Sequence, residues 1–191
     1  MPPGLAMVSV SERAWQAAEQ ATMPRYYLDL AEARKFQGKG ETPWTPAVSV
    51  LLQLDVALDM LENEGYEGIF ARHGACGAAA RAGLRAMGFG LLAEPEYASN
   101  TVTAAWLPEG VEWSVFNRAL LDRGLVLAGG QGKLTGQILR IGHLGAVAVD
   151  DVISAVETIE AVARELGLPV EAGAGSRAAR EASREQVPAP A

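Results

Sequence analysis

The chain has 191 residues, 49% of them hydrophobic and 20% charged, a balance that suits a globular domain with its own core and excludes a disordered or fibrous chain. A net charge of -7 and a pI near 4.9 argue against nucleic acid as a partner, because phosphate binding needs Lys and Arg clustered on one face. No apolar run approaches the ~18 residues of a spanning helix, and the start lacks a basic signal region, so the sequence reads as cytoplasmic with no membrane partner.

Residues 5–10 form a short apolar run after Pro2, Pro3 and Gly4 and predict a strand, followed by Ser11 as the cap of a helix with the composition ERAWQAAEQA. Residues 23–41 predict an irregular connection with some helix near 29–36. Thr45 and Pro46 supply an N-cap and an N1 proline for a long helix running to about residue 64, closed by Gly65. A second long helix over 66–87 is stopped by Gly88 and Gly90, and its many Ala and Gly residues allow neighbouring backbones to approach closely. Its single cysteine, Cys76, excludes an internal disulfide or multi-cysteine zinc site and reads as a buried, inert thiol. The adjacent stretch holds His73, but residues three apart share no catalytic pairing by spacing alone, and the pair carries no catalytic assignment.

The second half alternates short elements: strand at 101–107, helix at 112–123, strands at 125–128 and 137–141, and helix at 149–166. A small antiparallel sheet with helices packed on one face is the simplest architecture that buries these apolar faces. From 169 onward the composition turns to Ala, Gly, Ser, Arg, Glu and Pro without apolar periodicity, which predicts a disordered tail.

Three segments carry chemistry. The run 128–136, AGGQGKLTG, has four glycines between two predicted strands, which fits a hairpin loop; as a phosphate cradle it fails, since Lys133 is followed by Leu134 and then a strand. Arg140 is a lone guanidinium in an apolar strand, with Leu139 and Ile141 on the opposite face. It is either one half of a structural ion pair or a clamp for a substrate carboxylate. His143, three residues on, reads as a surface or packing residue. Thr42 and Thr45 flank Trp44 at the start of the long helix, where hydroxyls and N–H groups either cap the helix or receive an anion; Trp44 itself reads as packing and Glu41 as solvated.

In order along the chain, PPGLAMVSVSERAW (2–15), TPWTPAVSVLLQLDVAL (42–58) and VLAGGQGKLTGQILRIGHLG (126–145) resemble the class V family of fold-type I pyridoxal-phosphate aminotransferases, the alanine–glyoxylate and serine–pyruvate group. The resemblance runs over residues 2–166. It implies an α/β enzyme of which this chain carries the α+β small domain, a mainly antiparallel sheet with helices on one face, plus a remnant strand of the large domain. It divides the chain into a large-domain remnant (1–22), an interdomain segment (23–45), a small domain (46–168) and the tail (169–191). Residue by residue, it implies that Arg140 pairs with the substrate α-carboxylate, and that Thr45 reaches the cofactor phosphate of the neighbouring subunit. Thr42 stands where some members use a tyrosine for the same task, and the 129–136 loop would lie near the active-site mouth.

The sequence starts just after the point where that family keeps its imine-forming lysine, and Lys35, Lys39 and Lys133 do not stand in the family's lysine context, so no catalytic residue is assigned in this chain. The implied function is the carboxy-terminal part of an enzyme exchanging an amino group between an alanine- or serine-type amino acid and a glyoxylate- or pyruvate-type 2-oxo acid, with pyridoxal 5'-phosphate as cofactor. Such a part would be inactive without the lysine-bearing part. Its partners would be a second copy in a homodimer or a complementing large-domain chain. The alternative is a non-catalytic dimerisation or partner-binding module that keeps the small-domain fold. A third, desulfurase-like reading is disfavoured by the placement of Cys76 in a helix rather than a mobile loop.

Overall fold

The computed structural model describes residues 2–185 and divides at Glu64/Gly65 into two compact units. The first unit holds α1 (Glu12–Glu19), α2 (Leu30–Gln37) and α3 (Val48–Glu64). Local chemistry sets where the first two helices start. The Ser11 hydroxyl accepts from the Ala14 N–H at 3.3 Å, and the Asp29 carboxylate accepts from the Ala31 N–H at 2.9 Å. That hydrogen bond, aided by Arg25 beside it, holds the Asp29 carboxyl below its ordinary pKa.

Two expectations fail in this unit. Residues 5–10 form no strand, with Met7 and Val8 exposed, because a strand exists only through a partner and no other strand lies in this unit. The long helix begins at Val48 rather than Pro46: the Ala47 carbonyl accepts the Val50 and Leu51 N–H groups, and the Val48 N–H turns to the Pro46 carbonyl. Thr45 is therefore not the cap. None of the three helices contains a buried residue, and α3 exposes Val48, Leu52, Val56 and Met60.

The second unit contains α4 (Tyr66–Ala86), β1 (Val102–Trp106), α5 (Trp113–Leu121), β2 (Ala128–Gly129), β3 (Ile138–Gly142), α6 (Val149–Glu165) and α7 (Ala174–Glu185). The three strands form one antiparallel sheet in the order β1-β3-β2, with Ala104 and Ala128 on either side of Arg140. Alternation along β1 and β3 turns Thr103, Ala105, Leu139 and Ile141 into the core, where α4, α5 and α6 supply Leu84, Phe116, Leu120, Val156, Ile159 and Val162. The expected sheet with helices on one face is thus present, although β2 is two residues long and not the predicted run 125–128. Burial of each large aliphatic or aromatic side chain here contributes about 1.5–3 kcal/mol.

The tail expected to lack structure from 169 instead forms α7 as far as Glu185; the rest of that expectation, 186–191, lies outside the described residues. Small residues make the packing possible. A Cβ on Gly83 of α4 would stand 2.7 Å from a Val156 methyl and 3.2 Å from the Gly175 carbonyl of α7, so backbone meets backbone there. The Glu160 carboxylate of α6 then takes the N–H groups of Gly173, Gly175 (2.8 Å) and Ser176 (3.3 Å), closing the amino end of α7.

Candidate functional site

Arg140 stands in the middle strand, half-buried, on the sheet face opposite Leu139 and Ile141. Its strand neighbours on that face are Ala104 and Ala128, whose side chains are single methyls. One contact fixes it: Nε–H donates to the Gly129 carbonyl at 2.9 Å. Among the described residues no carboxylate pairs with it, so the structural ion pair weighed from the sequence is not formed, and both Nη groups keep their donors. A half-buried cation that cannot shed its charge, with two parallel N–H donors unspent, is suited to a carboxylate.

The glycine loop packs directly on this contact. A Cβ on Gly129 would lie 2.7 Å from the Trp113 indole nitrogen, and one on Gly130 would lie 1.8 Å from the Leu134 carbonyl oxygen. The loop folds into a short 3-10 turn over Gly132–Leu134, with the Gln137 amide donating to the Lys133 carbonyl at 2.8 Å. The role of the Gly129 carbonyl was not read from the sequence; the adjacent glycines were its only signal.

Thr42 and Thr45 lie in the first unit. The Thr42 hydroxyl donates its proton to the Trp44 carbonyl at 2.7 Å, which leaves it only lone pairs to offer and none to give a phosphate oxygen. Thr45 is exposed and its hydroxyl makes no hydrogen bond among the described residues, so its proton is available to an anion. Trp44 packs, as expected, between Tyr26 at 4.9 Å and Tyr27 at 5.5 Å between ring centroids.

His143 is fully buried. Its Nδ1 lies 3.0 Å from the Asn100 carbonyl, which can only accept, so Nδ1 carries the proton and Nε2 accepts from the Thr103 hydroxyl at 2.9 Å. Burial, with the Arg81 charge nearby, pushes its pKa below the ordinary value of about 6.5. The neutral ring is the folded form, so its contribution is complete above about pH 6.5 and is lost as pH falls below that. Melting between pH 7.5 and 5.5 is expected to show this slope, and His143→Gln, which cannot titrate, to lose it; equal slopes would count against it. Cys76 is equally inert: it is buried, its Sγ points to the Val147 carbonyl at 3.8 Å, and burial pushes its thiol pKa up. His73 hydrogen bonds the Ile69 carbonyl of its own helix.

No family model matches the chain. It is 46% identical over 168 residues to a soluble hydrogenase small subunit of Synechococcus sp. (strain PCC 6716), across 87% of this chain and 44% of that protein. It is 35% identical over 191 residues to an L-aspartate–glyoxylate aminotransferase of Paracoccus denitrificans, across 99% of this chain and 48% of that one. Superposed on the crystal structure of pyridoxamine–pyruvate aminotransferase from Mesorhizobium loti, 97% of the chain aligns with 49% of that structure at a TM-score of 0.88 and 34% identity.

The chain belongs to the class V aminotransferases. It spans about half the length of the curated relatives it matches and fits their carboxy-terminal portion. Class V aminotransferases depend on pyridoxal phosphate, which supplies an electron sink when bound. The residues of this chain do not by themselves fit that group. An imine-forming lysine needs a desolvated setting, whereas Lys35 is ion-paired with Glu32, Lys39 lies 5.3 Å over the Phe36 ring in solvent, and Lys133 is exposed on its turn. Of the candidate site residues, Arg140 keeps both Nη groups and Thr45 keeps its hydroxyl proton for a ligand, while the Thr42 proton is spent.

Proposed function

We propose that this chain is the carboxylate-binding, carboxy-terminal part of a pyridoxal-phosphate aminotransferase that moves an amino group between an alanine- or serine-type amino acid and a glyoxylate- or pyruvate-type 2-oxo acid. Arg140 carries the reading: it is half-buried, without a carboxylate partner, and presents both Nη groups. Acceptors of this type agree with the glyoxylate and pyruvate in the names of two relatives. The fold match at a TM-score of 0.88 is to an aminotransferase, which supports this reading over the hydrogenase in another relative's name.

In this proposal residues 1–22 belong to the large domain, 23–45 connect the domains, and 46–168 form the small domain. Its setting is cytoplasmic, and the described residues hold no helix long and apolar enough to cross a membrane. Thr45 donates to the cofactor phosphate across a homodimer or to a complementing large-domain chain, while the committed Thr42 proton makes Thr42 the weaker contact. Orientation by Arg140 contributes only when a lysine elsewhere moves the α-proton, so the chain acts with a lysine-bearing part.

The test adds pyridoxal phosphate to the purified chain, reduces with borohydride and maps modified lysines by mass. The expected result is no stoichiometric adduct on Lys35, Lys39 or Lys133, and aminotransfer only after a class V lysine-bearing half is supplied. One stoichiometric adduct with aminotransfer by the chain alone would overturn the half-enzyme reading. Failure of every complement to restore aminotransfer would favour the non-catalytic module, for which the exposed apolar residues of α3 are the supporting observation.

A further inference from the structure

From the loop geometry we infer that the Gly129 carbonyl, held in place by the close approach at Gly130, is a positioning device that sets how Arg140 meets its carboxylate. The inference rests on the carboxylate-binding reading of Arg140 and adds a direction to it. A guanidinium can receive a carboxylate along either of two edges, one made by Nε and an Nη, the other by the two Nη groups. Here the Nε–H is spent on Gly129 at 2.9 Å, which closes the first edge and leaves the end-on one. The strand neighbours cooperate, because Ala104 and Ala128 flank Arg140 with nothing longer than a methyl.

The carbonyl has little freedom to move. Trp113 packs on one side of Gly129, where a Cβ would come within 2.7 Å of the indole nitrogen, and Gly130 runs so near the Leu134 carbonyl that a Cβ would overlap it at 1.8 Å. That second obstacle is backbone, which cannot rotate aside as a side chain does. A methyl at position 130 must therefore push the 132–134 turn outward or drag the Gly129 carbonyl from Nε. The device also holds Arg140 without an ion pair: a neutral acceptor orients the group and leaves its charge for the ligand. Gly129 and Gly130 are positioning residues in this scheme, since neither touches the carboxylate.

The experiment uses the 191-residue chain labelled with 15N-arginine, with pyruvate as the carboxylate probe. The Arg140 Nε–H signal is expected to exchange with solvent on the order of tenfold more slowly than that of exposed Arg13, the protection of one hydrogen bond. Pyruvate is expected to shift the Arg140 Nη signals and leave Nε unmoved. In Gly130→Ala the Nε–H should exchange like Arg13, and pyruvate should bind about fivefold to tenfold more weakly. The signals of buried His143 report whether that variant keeps the fold, and the wild-type measurements stand without it. Fast exchange at Nε in the wild type, or a pyruvate shift carried by Nε, would overturn the inference. A protected Nε with Nη signals indifferent to pyruvate would support the lock and remove the carboxylate reading instead.

Discussion

In an enzyme completed by a lysine-bearing half, Arg140→Ala is expected to lower kcat/KM for the amino donor by about 10²–10³-fold, the loss of two charge-assisted hydrogen bonds. Cofactor retention should change by less than about twofold, because a group that binds the substrate carboxylate contributes nothing to holding the ring or its phosphate. Arg140→Lys is expected to recover little. An ammonium cannot keep one donor on Gly129 while presenting two parallel donors to a carboxylate, so charge survives and geometry does not. Steady-state kinetics on a series of amino donors, beside the cofactor content after dialysis, would check both. Equal losses in donor use and cofactor content would assign Arg140 to the structure of the sheet. A donor lacking the α-carboxylate should be indifferent to the substitution, which separates recognition from a general fault in folding.

Much of this was legible because alternation and spacing report faces. The run 138–142 placed Leu139 and Ile141 inside and Arg140 on the other side, and the structure keeps that division. Helices α4, α5 and α6 fall within a few residues of their predicted bounds, because Gly65, Gly88 and the apolar periodicity of 149–166 mark them. What sequence could not supply was the partner of each polar group. Arg140 was open between an ion pair and a clamp, and what decided against the ion pair is that no carboxylate among the described residues pairs with it. Thr45 looked like a cap through its following proline, but the helix starts two residues later, at a carbonyl every residue type possesses. The 5–10 run looked like a strand by composition, and composition says nothing about whether a neighbouring strand is present.

The tail was the largest misreading, and its cause is specific. The buried side of α7 consists of Gly175, Ala179 and Ser183, four apart, so the helix has a face without having a hydrophobic one. That stripe is selected by closeness to α4, where Gly83 leaves room for a backbone, and not by apolar surface. A helix of this kind gains little from burial and must be held by something else. The holding group is Glu160, itself 7% exposed, whose carboxylate receives three N–H groups from Gly173, Gly175 and Ser176.

Removing that carboxylate is therefore expected to have a large structural effect, concentrated on α7. Glu160→Ala leaves three helix-start donors without an acceptor and takes a negative charge from the positive end of the helix dipole, a loss of about 3 kcal/mol, which corresponds to a fall in Tm of about 10 °C. Glu160→Gln keeps one acceptor oxygen and should lie between the two. The surface pair of Arg180 with Glu157 cannot compensate, since exposed pairs contribute about 0–1 kcal/mol. Release of α7 exposes its own report: Arg177, Arg180 and Arg184 become sites for trypsin, and Met87, against which Gly175 packs, becomes accessible to oxidation. Trypsin mapping below the melting transition should show cleavage after these arginines in Glu160→Ala and resistance in the wild type. Identical digestion patterns and melting points would mean that α7 is held by its contacts with α4 alone, and that the carboxylate merely occupies a position the helix would keep without it.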